Sequence, residues 1–157
     1  MIEWFDDLAV GMRFRSSEKV ITRDDIKRFA TKFDPQPYHL DEAAAQWTPL
    51  KGLAASGWHT AAIAMRLAVE VRPFGPHPLL GLGVDDLRWL APVRPGDTLH
   101  LEGKVIELTP SKNKAPRNRS DQMDSFQSTW RARVHVYSQS PWCRVGPLDR
   151  PRSFGWR

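Results

Sequence analysis

Gly52-Leu-Ala-Ala-Ser-Gly-Trp-His-Thr-Ala-Ala-Ile-Ala-Met-Arg-Leu-Ala68 is the stretch on which the fold turns. Trp58, Ala61, Ala62, Met65 and Ala68 recur in it at the spacing of one helix face. Its many alanines predict a helix pressed closely against a neighbour. Strands on either side supply that neighbour. Upstream, Met12, Phe14 and Val20 fall at even spacing, which predicts one strand over about Met12 to Ile21 with a single buried face. Downstream of a Pro/Gly-rich loop, Pro73 to Pro78, the runs Val84 to Val93 and Thr98 to Leu108 read as two strands. Arg94-Pro-Gly-Asp97 joins them, and Leu99, Leu101 and Val105 share one face. One long buried helix and several antiparallel strands make an α+β domain in which a sheet wraps the helix.

Between the first strand and the long helix, Thr22 is placed to cap a helix, with Asp24 and Asp25 in its first turn where carboxylates meet the positive end of the dipole. Ile26, Phe29, Ala30 and Phe33 follow at helical spacing. Asp34-Pro35-Gln36-Pro37 ends that helix, because proline lacks a backbone donor and biases the residue before it away from helical angles. Asp41 then caps a short second helix through Ala43, Ala44 and Ala45.

The chain's 157 residues suit one compact domain. Cys143 is its only cysteine, so neither an internal disulfide nor a cysteine-based zinc site is expected, and a reducing compartment fits. No apolar run approaches the roughly 20 residues of a membrane span. The opening Met1-Ile-Glu-Trp-Phe-Asp-Asp7 is acidic where a secretion signal is basic, so a cytoplasmic protein is expected. The net charge of +5 is uneven: residues 1–114 carry 15 basic and 15 acidic side chains, residues 115–157 carry 8 and 3. A neutral body with a basic ending does not read as a nucleic-acid interface.

The run Phe29-Ala-Thr-Lys-Phe-Asp-Pro-Gln-Pro-Tyr-His-Leu-Asp-Glu-Ala-Ala44 resembles the hydratase motif of MaoC-like dehydratases and (R)-specific enoyl-CoA hydratases. Leu87-Arg-Trp-Leu-Ala-Pro-Val-Arg-Pro-Gly-Asp-Thr-Leu99 resembles that family's later signature. With Trp4-Phe5 and the Gly-rich entry to the long helix, the resemblance covers about residues 3–114 in one order. It implies a hotdog fold, a long central helix wrapped by antiparallel sheet, and a homodimer with sites near the subunit interface. It implies an acyl-CoA thioester as substrate; no metal, no cofactor and neither nucleic acid nor membrane is expected as a partner.

The family's Asp-x4-His spacing falls on Asp34 and His39. Hydrating a 2-enoyl thioester needs a base to take a proton from water and an acid to protonate the α-carbon, and two groups beside one water serve both needs. Negative charge gathers on the thioester oxygen as water adds, so fixed donors must face it. The resemblance assigns that role to Gly57, where free N–H groups at a helix start favour an anion. Ser56 and Trp58 flank it as substrate-binding candidates. Many relatives have His-Gly where this chain has Ser56-Gly57, and Met65 stands where some hydratases add a serine.

Each residue also has a plainer reading. Asp34 could end a helix and His39 could occupy a turn. His59 reads as a packed histidine, with no second ligand at metal spacing. Trp58 and Trp89 read as core or as walls of an acyl pocket. Gly81-Leu82-Gly83 lacks a following helix and is not a dinucleotide fingerprint. The fold also serves thioesterases and non-catalytic acyl-binding proteins, and fold alone does not choose between them.

From about Ala115 the resemblance stops. Residues 1–114 thus read as a hotdog domain incomplete at its C-terminal strands, and residues 115–157 as an atypical basic tail of weak periodicity. Suitable codons for Met123 to Ser138, read one nucleotide forward, give Trp-Thr-Ala-Phe-Asn-Gln-Arg-Gly-Glu-Pro-Val-Tyr-Thr-Phe-Thr. That is a strand, a turn and a strand, so a shifted reading frame is the expectation here, with reduced stability and a compromised dimer; the plainer alternative is a genuinely divergent, flexible basic tail.

Overall fold

The computed structural model describes residues 7–72, 84, 86–109 and 129–138. Trp4-Phe5, the Pro73 to Pro78 loop, Gly81 to Gly83 and Cys143 lie outside them. The elements run β1 (Arg13–Arg15), β2 (Lys19–Val20), α1 (Arg23–Phe33), α2 (Pro37–Leu40), α3 (Glu42–Gln46), α4 (Gly57–Val71), β3 (Thr98–Thr109) and β4 (Thr129–Ser138). The four strands among the described residues form one antiparallel sheet, with β3 the strand that the others share.

The single strand expected over Met12 to Ile21 is two short ones. Arg15 faces Glu102 and Lys19 faces Leu99. Four steps along the first strand therefore match three along β3, so one extra residue is accommodated between them. An extra residue reverses the alternation of faces beyond it. Phe14 still packs on the core, but Val20 is 53% exposed and Ile21 is fully buried. Ser16 sits in the irregularity. Its N–H donates to the Leu101 carbonyl, and its Oγ accepts the Leu101 N–H at 2.9 Å, so the interrupted strand keeps its bonds to β3. Gly103 lies under the Phe14 ring, where no β-carbon would fit.

On β3, Leu99, Leu101 and Val105 are each 1% exposed and share the inner face, as the alternation predicts. They close on α4, whose buried face is His59, Ile63 and Leu67. The stripe expected there is wrong in part. Trp58 and Met65 are each 63% exposed, because α4 turns its 59/63/67 stripe to the sheet. Ile21, Ile26, Leu53, Ala55 and Val93 complete the core, and burying each large aliphatic stabilises the fold by about 1.5–3 kcal/mol.

Helix α1 starts at Thr22, as expected, with a full capping box. Thr22 Oγ1 accepts the Asp25 N–H at 3.1 Å, and the Asp25 carboxylate accepts the Thr22 N–H at 3.3 Å. It ends at Asp34, before the prolines. Asp41 caps α3 by accepting the Ala44 N–H at 2.7 Å. Val84 and residues 86–93 form no strand, contrary to expectation. The Val93 carbonyl instead accepts the Ala55 N–H at 2.8 Å, so this segment docks on the entry to α4. In the tail, where no strand was expected, β4 pairs with β3 from Leu99 to Thr109.

His59 packs as anticipated, stacked on Phe29 with ring centroids 4.7 Å apart. Burial, its largest influence, pushes its pKa below the ordinary 6.5. The unfolded chain then binds a proton near pH 6.5 that the folded chain refuses, so this contribution to stability is present above that pH and is lost below it. The urea midpoint is therefore expected to fall between about pH 7 and 5.5. His59→Gln should flatten the decline, and an unchanged decline would assign it to other groups.

Candidate active site

Six consecutive residues, Asp34 to His39, build the centre of the site. Asp34 is the C-cap of α1, its N–H donating to the Ala30 carbonyl at 3.0 Å. Pro35 and Pro37 prevent α1 from continuing, and Pro37 opens α2 at the one helical position that tolerates it. That single turn, not expected beyond a sharp bend, carries His39 inward, where it is buried. His39 Nε2 then lies 3.4 Å from Asp34 Oδ2.

The ring's other nitrogen settles its tautomer. His39 Nδ1 is 2.7 Å from the Ala54 carbonyl oxygen, which can only accept, so Nδ1 carries the hydrogen. In the neutral ring Nε2 is then a bare acceptor facing a carboxylate. Asp34 is held ionised. The Ser56 hydroxyl first, and the Gln36 amide second, hydrogen-bond its carboxylate and lower its pKa beneath the ordinary 3.8 against the opposing effect of burial; His39 adds a smaller lowering only when its ring is protonated.

Ser56 is buried at the N-cap of α4, where its Oγ accepts the Trp58 N–H at 3.2 Å. One side chain thus joins the start of the long helix to Asp34. Gly57 is the first residue of α4, and its N–H has no carbonyl one turn earlier in the helix. The Trp89 ring lies over it: a β-carbon on Gly57 would stand 2.5–2.8 Å from three ring atoms. Trp58 meets Trp89 edge-on at 6.0 Å. Both tryptophans are partly exposed, so neither is core. Gly57→Ala is expected to push the Trp89 indole outward and cost about 1–3 kcal/mol. Urea unfolding and the indole N–H resonance would register both effects, and an unmoved resonance with unchanged stability would contradict the close packing.

The turn of the later signature holds this entry in place. Gly96 adopts φ +91°, and the Asp97 N–H donates to the Arg94 carbonyl at 3.1 Å, as a type II turn requires. Arg94 reaches across to the Leu50 carbonyl at 2.5 Å, tying down the loop that leads to Ser56. The structure therefore brings Asp34, His39 and Ser56 into contact and puts Gly57 at the adjoining helix start, while the Trp58 side chain turns outward to Trp89. The sequence reading missed Gln36, whose Nε2 donates to Asp34 Oδ1 at 2.7 Å. Its only signal was an amide two residues from a carboxylate. Among the described residues no group of three or more His, Cys, Asp or Glu could hold a metal ion, and no helix is long and apolar enough to cross a membrane.

Comparison with known proteins identifies the family. A 3-hydroxybutyryl-CoA dehydratase of Methylorubrum extorquens is 33% identical over 113 residues, covering 71% of this chain and 69% of that protein. An (R)-specific enoyl-CoA hydratase of Rhodospirillum rubrum is 31% identical over 118 residues, covering 71% of this chain and 76% of that protein. The crystal structure of a MaoC-like dehydratase from Rhodospirillum rubrum aligns with a TM-score of 0.70 at 43% identity, over 87% of this chain and 86% of that one. The MaoC-like domain itself matches residues 7–123, reaching somewhat past the expected end of the resemblance. With its helix packed on antiparallel sheet, this chain belongs to the MaoC-like domain family and has the family's hotdog fold.

Proposed function

We propose that this protein is a hydro-lyase that adds water to a 2-enoyl-CoA, or removes it from a 3-hydroxyacyl-CoA, with Asp34 and His39 as the acid–base pair. The observation that carries this reading is the pair of facing acceptors, Asp34 Oδ2 and His39 Nε2, 3.4 Å apart. Two acceptors at that spacing leave room for one water lying beside both, donating a hydrogen to each. Its oxygen lone pair is then free to attack the β-carbon. As that C–O bond forms, one O–H bond breaks toward the pair, the thioester oxygen gains charge, and a proton returns to the α-carbon. Gly57 N–H, at the positive end of α4, is the donor for that oxygen. Ser56 and Trp58 border the place of the acyl group.

The names of the relatives support this substrate class, and the exposed apolar side chains of α4, Trp58, Met65 and Val69, support a homodimer that covers them. In this reading residues 1–114 form the catalytic domain, the basic tail 115–157 adds β4, and the protein works in the cytoplasm. The test is the loss of conjugated-thioester absorbance when a four-carbon 2-enoyl-CoA is mixed with the protein. Release of free thiol instead would favour a thioesterase. Binding without turnover would favour a non-catalytic acyl-binding protein, and sedimentation of a monomer would remove the dimer.

A further inference from the structure

Gln36 is fixed by its neighbours before its side chain makes any contact. Pro37 restricts it to extended angles, and it has φ −76° and ψ 138°. Its N–H donates to the Asp34 carbonyl at 2.8 Å, and its carbonyl accepts the His39 N–H at 2.9 Å. Although it stands at the N-cap of α2, its side chain makes no capping bond. It turns back instead, and Nε2 donates to Asp34 Oδ1 at 2.7 Å. The carboxylate only accepts, so the NH2 end must face it and Oε1 must face away. Oε1 is met there by the Tyr38 hydroxyl, which donates to it.

The Tyr38 ring in turn meets the His39 ring edge-on, centroids 4.4 Å apart at 62°. His39 Nε2 faces Asp34 Oδ2, which closes the circuit. Four side chains of one hexapeptide thus brace one another in a ring: Asp34, Gln36, Tyr38, His39. A carboxylate turns easily about its terminal torsion, so holding Oδ1 is what keeps Oδ2 on His39. We infer that Gln36 and Tyr38 are positioning residues for the Asp34/His39 pair, occupying Oδ1 and holding Oδ2 and Nε2 at the spacing one water spans. This rests on the hydro-lyase reading of the pair. Ser56 braces the carboxylate from the α4 side, and His39 is the ionisable group that acts on it.

Two gentle variants separate this from a structural role, since Gln36 is exposed and Tyr38 only half-buried. Gln36→Leu removes the donor to Asp34. Tyr38→Phe keeps the ring on His39 but lets the amide turn. The Asp34 carboxyl is titrated by carbon NMR in the full chain, and kcat and KM for a four-carbon 2-enoyl-CoA are measured across pH. Gln36→Leu should raise the Asp34 midpoint by about half a unit and move the acid limb of the rate profile with it. It should lower kcat roughly three- to tenfold with KM within about twofold, and Tyr38→Phe should do the same more weakly. An Asp34 midpoint and a kcat unchanged in Gln36→Leu would overturn the assignment. If the unaltered chain hydrates no enoyl thioester, the hydro-lyase reading falls by itself. The Asp34 midpoint then decides alone: a rise supports the brace and no change removes it.

Discussion

Asp34→Asn is expected to lower kcat for hydration of a short 2-enoyl-CoA by about 10²- to 10⁴-fold, the usual worth of a positioned acid or base, with little change in KM. The substitution keeps the shape of the side chain, and its remaining oxygen can still accept from Gln36. What changes is the atom facing His39. Oδ2, an acceptor 3.4 Å from Nε2, becomes an NH2 that donates to Nε2 directly. The base is lost and the histidine's free lone pair is consumed in one step. Because Asp34 titrates below 3.8 in the folded chain, its ionised form persists through neutral pH, and the acid limb of the unaltered protein should fall at or below the ordinary carboxylate range. A variant that keeps more than about a tenth of the activity would remove Asp34 from the mechanism.

Ending the chain after residue 128 should abolish cooperative unfolding. β4 pairs with β3 along nearly all of its length, and β3 also carries Leu99, Leu101 and Val105, the inner wall of the core. Removing β4 leaves a row of unpaired N–H and C=O groups on that strand, an edge open to aggregation. A thermal melt monitored by circular dichroism would decide: a sharp transition within about 5 °C of the full chain would show that β4 contributes little. A chain carrying the shifted frame from Met123 onward, with its strand, turn and strand, is expected to melt higher than the chain as it stands. An equal melting temperature would count against the frame-shift explanation of the tail.

Local chemistry was legible without a structure. Thr22 and Asp25 form a capping box because both partners lie within one turn, and Asp41 caps α3 for the same reason. Asp34 ends α1 because two prolines follow, and Gly96 closes its turn because a positive φ suits glycine. The even spacing of Leu99, Leu101 and Val105 named the inner face of β3 correctly. The Asp34/His39 pair was reached through the family resemblance and its Asp-x4-His spacing, and not from the residues alone.

The tail shows where composition misled. Its arginines and serines suggested no regular structure, yet Ala132, Val134 and Val136 alternate with Arg131, Arg133 and His135, which is a strand's period. The register sets those three opposite Val105, Gly103 and Leu101. The alternation was present in the sequence; the partner that makes it a strand was not.

What the sequence by itself determined is therefore what is settled within about one turn of chain: caps, helix ends and turns. What only the tertiary structure decided is which face each element shows. The extra residue between Arg15 and Lys19 brings Ile21 inward in place of Val20 because β3 sets the register. α4 buries His59, Ile63 and Leu67 in place of its Trp58/Met65 stripe because the sheet and α1 meet that side. Residues 86–93 dock on the entry to α4 in place of joining the sheet. In each case two arrangements satisfy the local rules about equally well, and the contacts that separate them are made with residues distant in the chain.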